Sequence, residues 1–163
     1  MIKRLKSIAF IALGCAFVAL TWGSNAALAQ RARSISEARP DSIQDVLYSD
    51  YKGVRLGMTA ADVRAKLGEP AVKADDQYFY VFSDKETAQI VYDALGKVKG
   101  ISTDYLDGVG APDYKTVVGG EVQAKADGSL YKMVRYENLG FWVSYNRSAG
   151  PVPSVTVTIQ RIR

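Results

Sequence analysis

Two close pairs of carboxylates, Asp75-Asp76 and Asp104 with Asp107, are spaced as acid–base or calcium-binding groups can be. One pair follows a helical segment and the other ends a strand. Aspartates in such places are ordinary solvated turn residues. No glycine-bearing twelve-residue loop follows Asp75-Asp76, which excludes an EF-hand. Gly108-Val109-Gly110 lacks the continuation of a dinucleotide loop, and there is no G-x-x-x-x-G-K-[ST] phosphate loop. Ser144 and Ser154 have no base to activate them. The 163 residues include no histidine, so Ser-His-Asp triads, Cys-His pairs and HExxH zinc sites are excluded. The single cysteine, Cys15, rules out an intramolecular disulfide and a cysteine metal cluster. The expectation is a protein that is not an enzyme and holds no cofactor and no metal.

The chain is 48% hydrophobic and 23% charged, in the range of a globular protein. Lys3, Arg4 and Lys6 precede an apolar run from Ile8 to Leu20, and Ala27-Leu28-Ala29 follows. This is the pattern of a secretory signal peptide, residues 1–29, cleaved after Ala29. The apolar run is shorter than the roughly 20 residues of a spanning helix. Gly14-Cys15 offers lipidation at Cys15 as the other reading. Localisation is therefore expected to be periplasmic or secreted. Of 21 basic residues, three lie in the signal segment, leaving 18 against 17 acidic ones. That near-balance removes the basic footprint a nucleic-acid partner would need.

Residues 30–50 read as a flexible leader with a short helix from Asp41 to Leu47. Thr59 and Asp62 form a capping-box pattern, Val63 and Leu67 share a face, and Gly68 and Pro70 end the helix. Tyr78–Phe82, Ala88–Tyr92 and Val98–Tyr105 then read as three antiparallel strands joined by turns. A second unit follows the same order. Its helix opens at Pro112-Asp113 and ends at Gly119-Gly120, and Lys125-Ala126-Asp127 matches Lys73-Ala74-Asp75. The expected fold is α+β, with two tandem helix-plus-three-strand repeats over 51–107 and 108–163 and the helices on one face of an antiparallel sheet.

Alternation assigns the strand faces. Val155, Val157 and Ile159 point inward, as do Phe141, Val143 and Tyr145, and Ala88, Ile90 and Tyr92. Lys132 is taken to mark a solvent face, which places Phe79, Val81, Tyr131 and Met133 inside. The outer face then carries Tyr78, Tyr80, Phe82, Gln89, Lys132, Val134, Tyr136, Trp142 and Thr156. Exposed aromatics of this kind serve as binding surfaces, and they also occur from sheet propensity alone.

The run Tyr51–Val63, with its Leu56-Gly57-Met58-Thr59 core, followed by Leu67-Gly68-Glu69-Pro70, resembles the opening of SmpA/OmlA (BamE-like) proteins. Those are small lipoprotein subunits of the outer-membrane β-barrel assembly machine. The tandem arrangement is similar to that of secreted β-lactamase inhibitor proteins (BLIP-like). The likeness covers residues 51–105 and fades over 106–163. This chain departs from the first family in lacking a cysteine at the expected mature N-terminus. It departs from the second in lacking a disulfide in each repeat. Both resemblances imply action by protein contact. The inhibitor resemblance implies a grip through the open sheet face and the Asp93-Ala94-Leu95-Gly96 loop. In that loop Asp93 either mimics a substrate carboxylate or simply makes the turn.

The expected function is that of an exported interaction module of the bacterial cell envelope, acting in outer-membrane assembly or maintenance. Its expected partner is another protein, and outer-membrane association is possible. The expected binding residues are Tyr78, Tyr80, Gln89, Lys132, Tyr136, Trp142 and Asp93. The alternatives are an inhibitor of a hydrolase such as a β-lactamase, and a small-ligand binder. Dimerisation through an edge strand is left open.

Overall fold

The computed structural model describes Ser42 and residues 45–162. The signal-peptide reading lies outside these residues, as does much of the expected 41–47 helix. Thr59 caps α1 (Ala60–Leu67): its hydroxyl accepts from the Asp62 N–H, and the Asp62 side chain accepts from the Thr59 N–H. Val63 is the buried residue of this helix, and Gly68 ends it at φ 82°. Seven strands follow: β1 (Val72–Lys73), β2 (Gln77–Val81), β3 (Glu86–Tyr92), β4 (Val98–Tyr105), β5 (Leu130–Tyr136), β6 (Phe141–Arg147) and β7 (Val155–Arg161). Between β4 and β5 lies α2 (Tyr114–Val118), a helix of five residues.

All seven strands form one antiparallel sheet, ordered β1-β2-β3-β4-β7-β6-β5. The last strand enters between β4 and β6, with Ile101 opposite Ile159 and Thr103 opposite Val157. This corrects the expectation of two tandem helix-plus-three-strand repeats. The described residues form mostly one continuous sheet, four of their strands precede α2, and among them only α1 is more than a brief helical turn. The second helix is short for local reasons. Thr116, Val117 and Val118 are β-branched, and Gly119 and Gly120 follow at φ 61° and 65°. The β4–β7 pairing joins residues far apart in sequence, which a local pattern does not reveal.

One face of the sheet carries the core. Ile90, Ile101, Ile159, Val143 and Val157 are its fully buried centre. They pack with Val54 and Val63 on one side and with Val117 and Val118 on the other. Among the described residues no helix lies on the second face.

Candidate functional site

The uncovered face is built by strand register alone. Three rows of opposed residues cross it. The first runs Val81, Thr87, Asp104, Thr156, Asn146, Tyr131. The second runs Phe79, Gln89, Ser102, Thr158, Ser144, Met133. The third runs Gln77, Val91, Gly100, Gln160, Trp142, Arg135. The first two rows start and end on large apolar or aromatic side chains and cross a polar middle. Val81 is 55% exposed, Tyr131 45%, Met133 39% and Phe79 38%. Trp142 is half-buried on the same face.

The polar middle is internally bonded. Thr156 Oγ1 donates to Asp104 Oδ1 at 2.6 Å, Ser102 and Thr158 share a hydrogen bond at 3.3 Å, and Gln89 Nε2 donates to Gln77 Oε1 at 2.6 Å. A shallow cleft of about 230 Å³ lies beside Phe79, between Val72, Ala74, Gln77 and Gln89. A second cleft of similar size lies among Asp93, Lys99, Gln160, Arg161 and Ile162. Among the described residues no three acidic or cysteine side chains gather as a metal site. Asp104 is held by Thr156, and Asp107 pairs with Lys85. Both carboxylates of the Asp104/Asp107 pair are therefore taken up in structural bonds.

The face assignment of β2 and β5 is corrected. Tyr78, Tyr80 and Tyr136 are buried against the covered face. Burial there raises the phenol pKa of both Tyr80 and Tyr136 above the ordinary value. Lys132 lies on that covered face too, opposite Tyr145, and Val134 sits opposite buried Val143. The Lys132 amine donates to the Gly119 carbonyl at 2.5 Å, closing the C-terminal end of α2. Phe82 stacks on Tyr80 with ring centroids 6.0 Å apart. Phe79, Val81, Tyr131 and Met133, expected inside, stand on the uncovered face. Gln89, Trp142 and Thr156 are on that face as expected.

Asp93 lies in the β3–β4 turn. Its Oδ1 accepts from the N–H groups of Leu95 and Lys97, each at 2.9 Å, and Arg161 stands 3.8 Å from Oδ2. The backbone N–H of Lys97, followed by that of Leu95, holds its carboxyl below the usual range. Its bonds are those of a turn former. One sequence signal could have oriented β5. The paired glycines after Val118 leave a helix end whose carbonyls need a donor, and Lys132 supplies one.

No protein-family model and no curated protein matches the chain. Among solved structures it is similar to a DUF4309 family protein (YjgB) from Bacillus subtilis. That likeness has a TM-score of 0.43 and 14% identity over 68% of this chain and 83% of the other. A likeness at that level carries no argument about function.

Proposed function

We propose that this chain is an exported, non-enzymatic protein-interaction module of the bacterial cell envelope that binds a partner protein through the uncovered sheet face. The observation that carries this reading is the exposure of Phe79, Val81, Tyr131 and Met133 on that face. Solvated sheet faces ordinarily carry polar side chains, and clustered exposed apolar groups mark contact surfaces. The two apolar flanks lie on β2 and on β5, five strand spacings apart, or about 24 Å. A protein with two apolar ridges at that spacing fits such a face. A partner in outer-membrane assembly or maintenance is the reading that accords with the SmpA/OmlA-like motif at Leu56–Thr59.

The test is photo-crosslinking in the native cell from positions 79 and 142, with position 52 on the opposite side as control. A discrete protein adduct from both positions, absent at the control, supports the proposal. Identification of the adduct as an envelope component supports its cellular role, whereas a secreted hydrolase would replace that role with inhibition. Adducts absent from both positions in cells that contain the folded protein would overturn the proposal.

A further inference from the structure

The sheet ends differently at its two edges. β1 is two residues long, whereas β5 is a straight run of seven residues, Leu-Tyr-Lys-Met-Val-Arg-Tyr, without proline or a register shift. The hydrogen bonds that bracket the β6–β7 pair show which backbone groups of β5 are free. Ile162 N–H donates to Gly140 O at 2.8 Å, and Ser148 N–H donates to Ser154 O at 2.9 Å. Both bonds come from even-numbered residues on the β6 side. Antiparallel pairing alternates strictly, so the even positions of β6 bond β7 and the odd positions bond β5. Those odd positions, Phe141, Val143, Tyr145 and Arg147, face Tyr136, Val134, Lys132 and Leu130. The N–H and C=O groups of Tyr131, Met133 and Arg135 therefore point away from the sheet. Among the described residues no backbone bond from a turn or loop reaches them.

We propose that β5 is a homodimerisation edge, where a second copy of this chain adds its own β5 antiparallel about a twofold axis at Met133. In that register Met133 faces Met133, and Tyr131 faces Arg135 of the second copy. Every free group on the two edges gains a partner, because the outward residues of one strand meet the outward residues of the other. A slip of two residues leaves groups at one end unpaired.

The side chains favour a second copy over an unrelated strand because the run complements itself. Arg135 of one copy opposes Tyr131 of the other, an aromatic that already takes the Lys125 amine 5.7 Å from its ring centroid, while Glu137 at 3.6 Å offsets the Arg135 charge within its own copy. The exposed Met133 side chains meet each other. On the covered face, Leu130 opposes Tyr136 and Lys132 opposes Val134, so no like charges stand directly opposite. Opposed residues in a sheet share a face, so the two uncovered faces lie on the same side of a doubled sheet. This inference stands on the β5 backbone and is independent of the partner proposed above.

The test uses the full chain carrying Cys15→Ser. Sedimentation should show a concentration-dependent dimer. Met133→Pro removes the outward N–H at the axis and leaves the bonds to β6 in place. It should weaken the dimer by at least about tenfold. Met133→Cys places two thiols about the axis at a Cα spacing of about 5.5 Å. A short thiol crosslinker should give a covalent dimer there and not with Val72→Cys at the opposite edge. A chain that stays monomeric up to its solubility limit overturns the proposal. So does a dimer that folded Met133→Pro leaves unchanged. Should Met133→Pro fail to fold, the Met133→Cys crosslink decides alone, and its absence overturns the proposal.

Discussion

Over β2, β3 and β4 the cover consists of α1 and the segment 48–58, tied to the sheet by backbone. Gly57 N–H donates to Val98 O at 2.8 Å, and Val98 N–H donates to Met58 O at 2.9 Å. Tyr51 Oη donates to Glu86 at 2.9 Å, and Arg64 reaches Tyr78 Oη at 3.3 Å. Over β6 and β5 the cover is α2, which rests on Val117 and Val118, on the Tyr114 ring 6.1 Å from that of Tyr145, and on the reach of Lys132 to Gly119 O. The first cover is fixed by many directional bonds. The second is fixed by packing and one cation. Regions with few directional ties open at lower free energy than the rest of a domain. The C-terminal cover is thus the part of the covered side that opens first near neutral pH.

Alkali should reverse that order, with the largest effect. Burial is the first cause that raises the phenol pKa of Tyr48, Tyr51, Tyr80, Tyr92 and Tyr105 in the N-terminal half, against Tyr136 and Tyr145 alone on the strands under α2. Among the described residues the hydroxyls of Tyr80 and Tyr92 have no hydrogen-bond partner, and the Arg64 charge only partly offsets their burial. A raised folded-state pKa means the native state keeps its proton longer than the unfolded chain. The associated stability is complete below about pH 10, the unfolded value, and is lost as pH rises toward the folded values. Each such proton steepens the loss by about 1.4 kcal/mol per pH unit. Tyrosinate absorbance should rise in one late cooperative step, together with loss of the sheet signal in circular dichroism. Gradual ionisation near pH 10 with the sheet intact would remove the contrast between the halves.

Cavity mutations sharpen the comparison at smaller cost. Val63 and Val117 are both fully buried, one under each cover. Replacement of either by alanine should cost about 2–3 kcal/mol, the transfer free energy of the lost groups plus a cavity. The effect on local opening should differ. In Val117→Ala, amide exchange of residues 114–118 should approach that of an open segment. In Val63→Ala, α1 should stay protected because its cap and the Gly57–Val98 bonds remain. Equal local exposure in the two variants would show that the extra bonds of the first cover add nothing.

The same contrast explains what the sequence made legible. The Thr59/Asp62 cap, the Gly68 stop, and the alternation of β3, β6 and β7 are local signals, and each marks its element. β2 carries aromatics on both faces, with Tyr78 and Tyr80 on one and Phe79 on the other, so hydrophobicity does not orient it. β5 carries Lys132 on one face and Arg135 on the other, so charge does not orient it either. A lysine read as a solvent marker turns both strands over. A lysine stem can lie along apolar surface while its amine reaches a distant acceptor, here a helix-end carbonyl. The polar half of the uncovered face is legible in Gln89 and Thr156, whereas its apolar flanks carry the residue types of an interior. The insertion of β7 beside β4 is a long-range pairing with no local marker.

The smallest effects compare the two helix anchors directly. Lys132→Met keeps the apolar stem and deletes the donor to Gly119 O, leaving that carbonyl at the helix end without its charged partner. The expected cost is about 1–2 kcal/mol, with faster amide exchange confined to residues 114–118, and Lys132→Arg should restore most of it. Thr59→Ala removes the α1 cap and should cost about 1 kcal/mol. The Thr59 hydroxyl and then its N–H hold the Asp62 carboxyl below the usual range. A lowered folded-state pKa contributes stability that is present above the unfolded value near pH 4 and lost as pH falls through the folded one. Thr59→Ala should therefore lose less on acidification than the wild type, whereas Lys132→Met should follow the wild-type acid profile. Parallel acid profiles for all three proteins would mean that the capping carboxylate does not hold α1, and the first cover would then rest on packing as the second does.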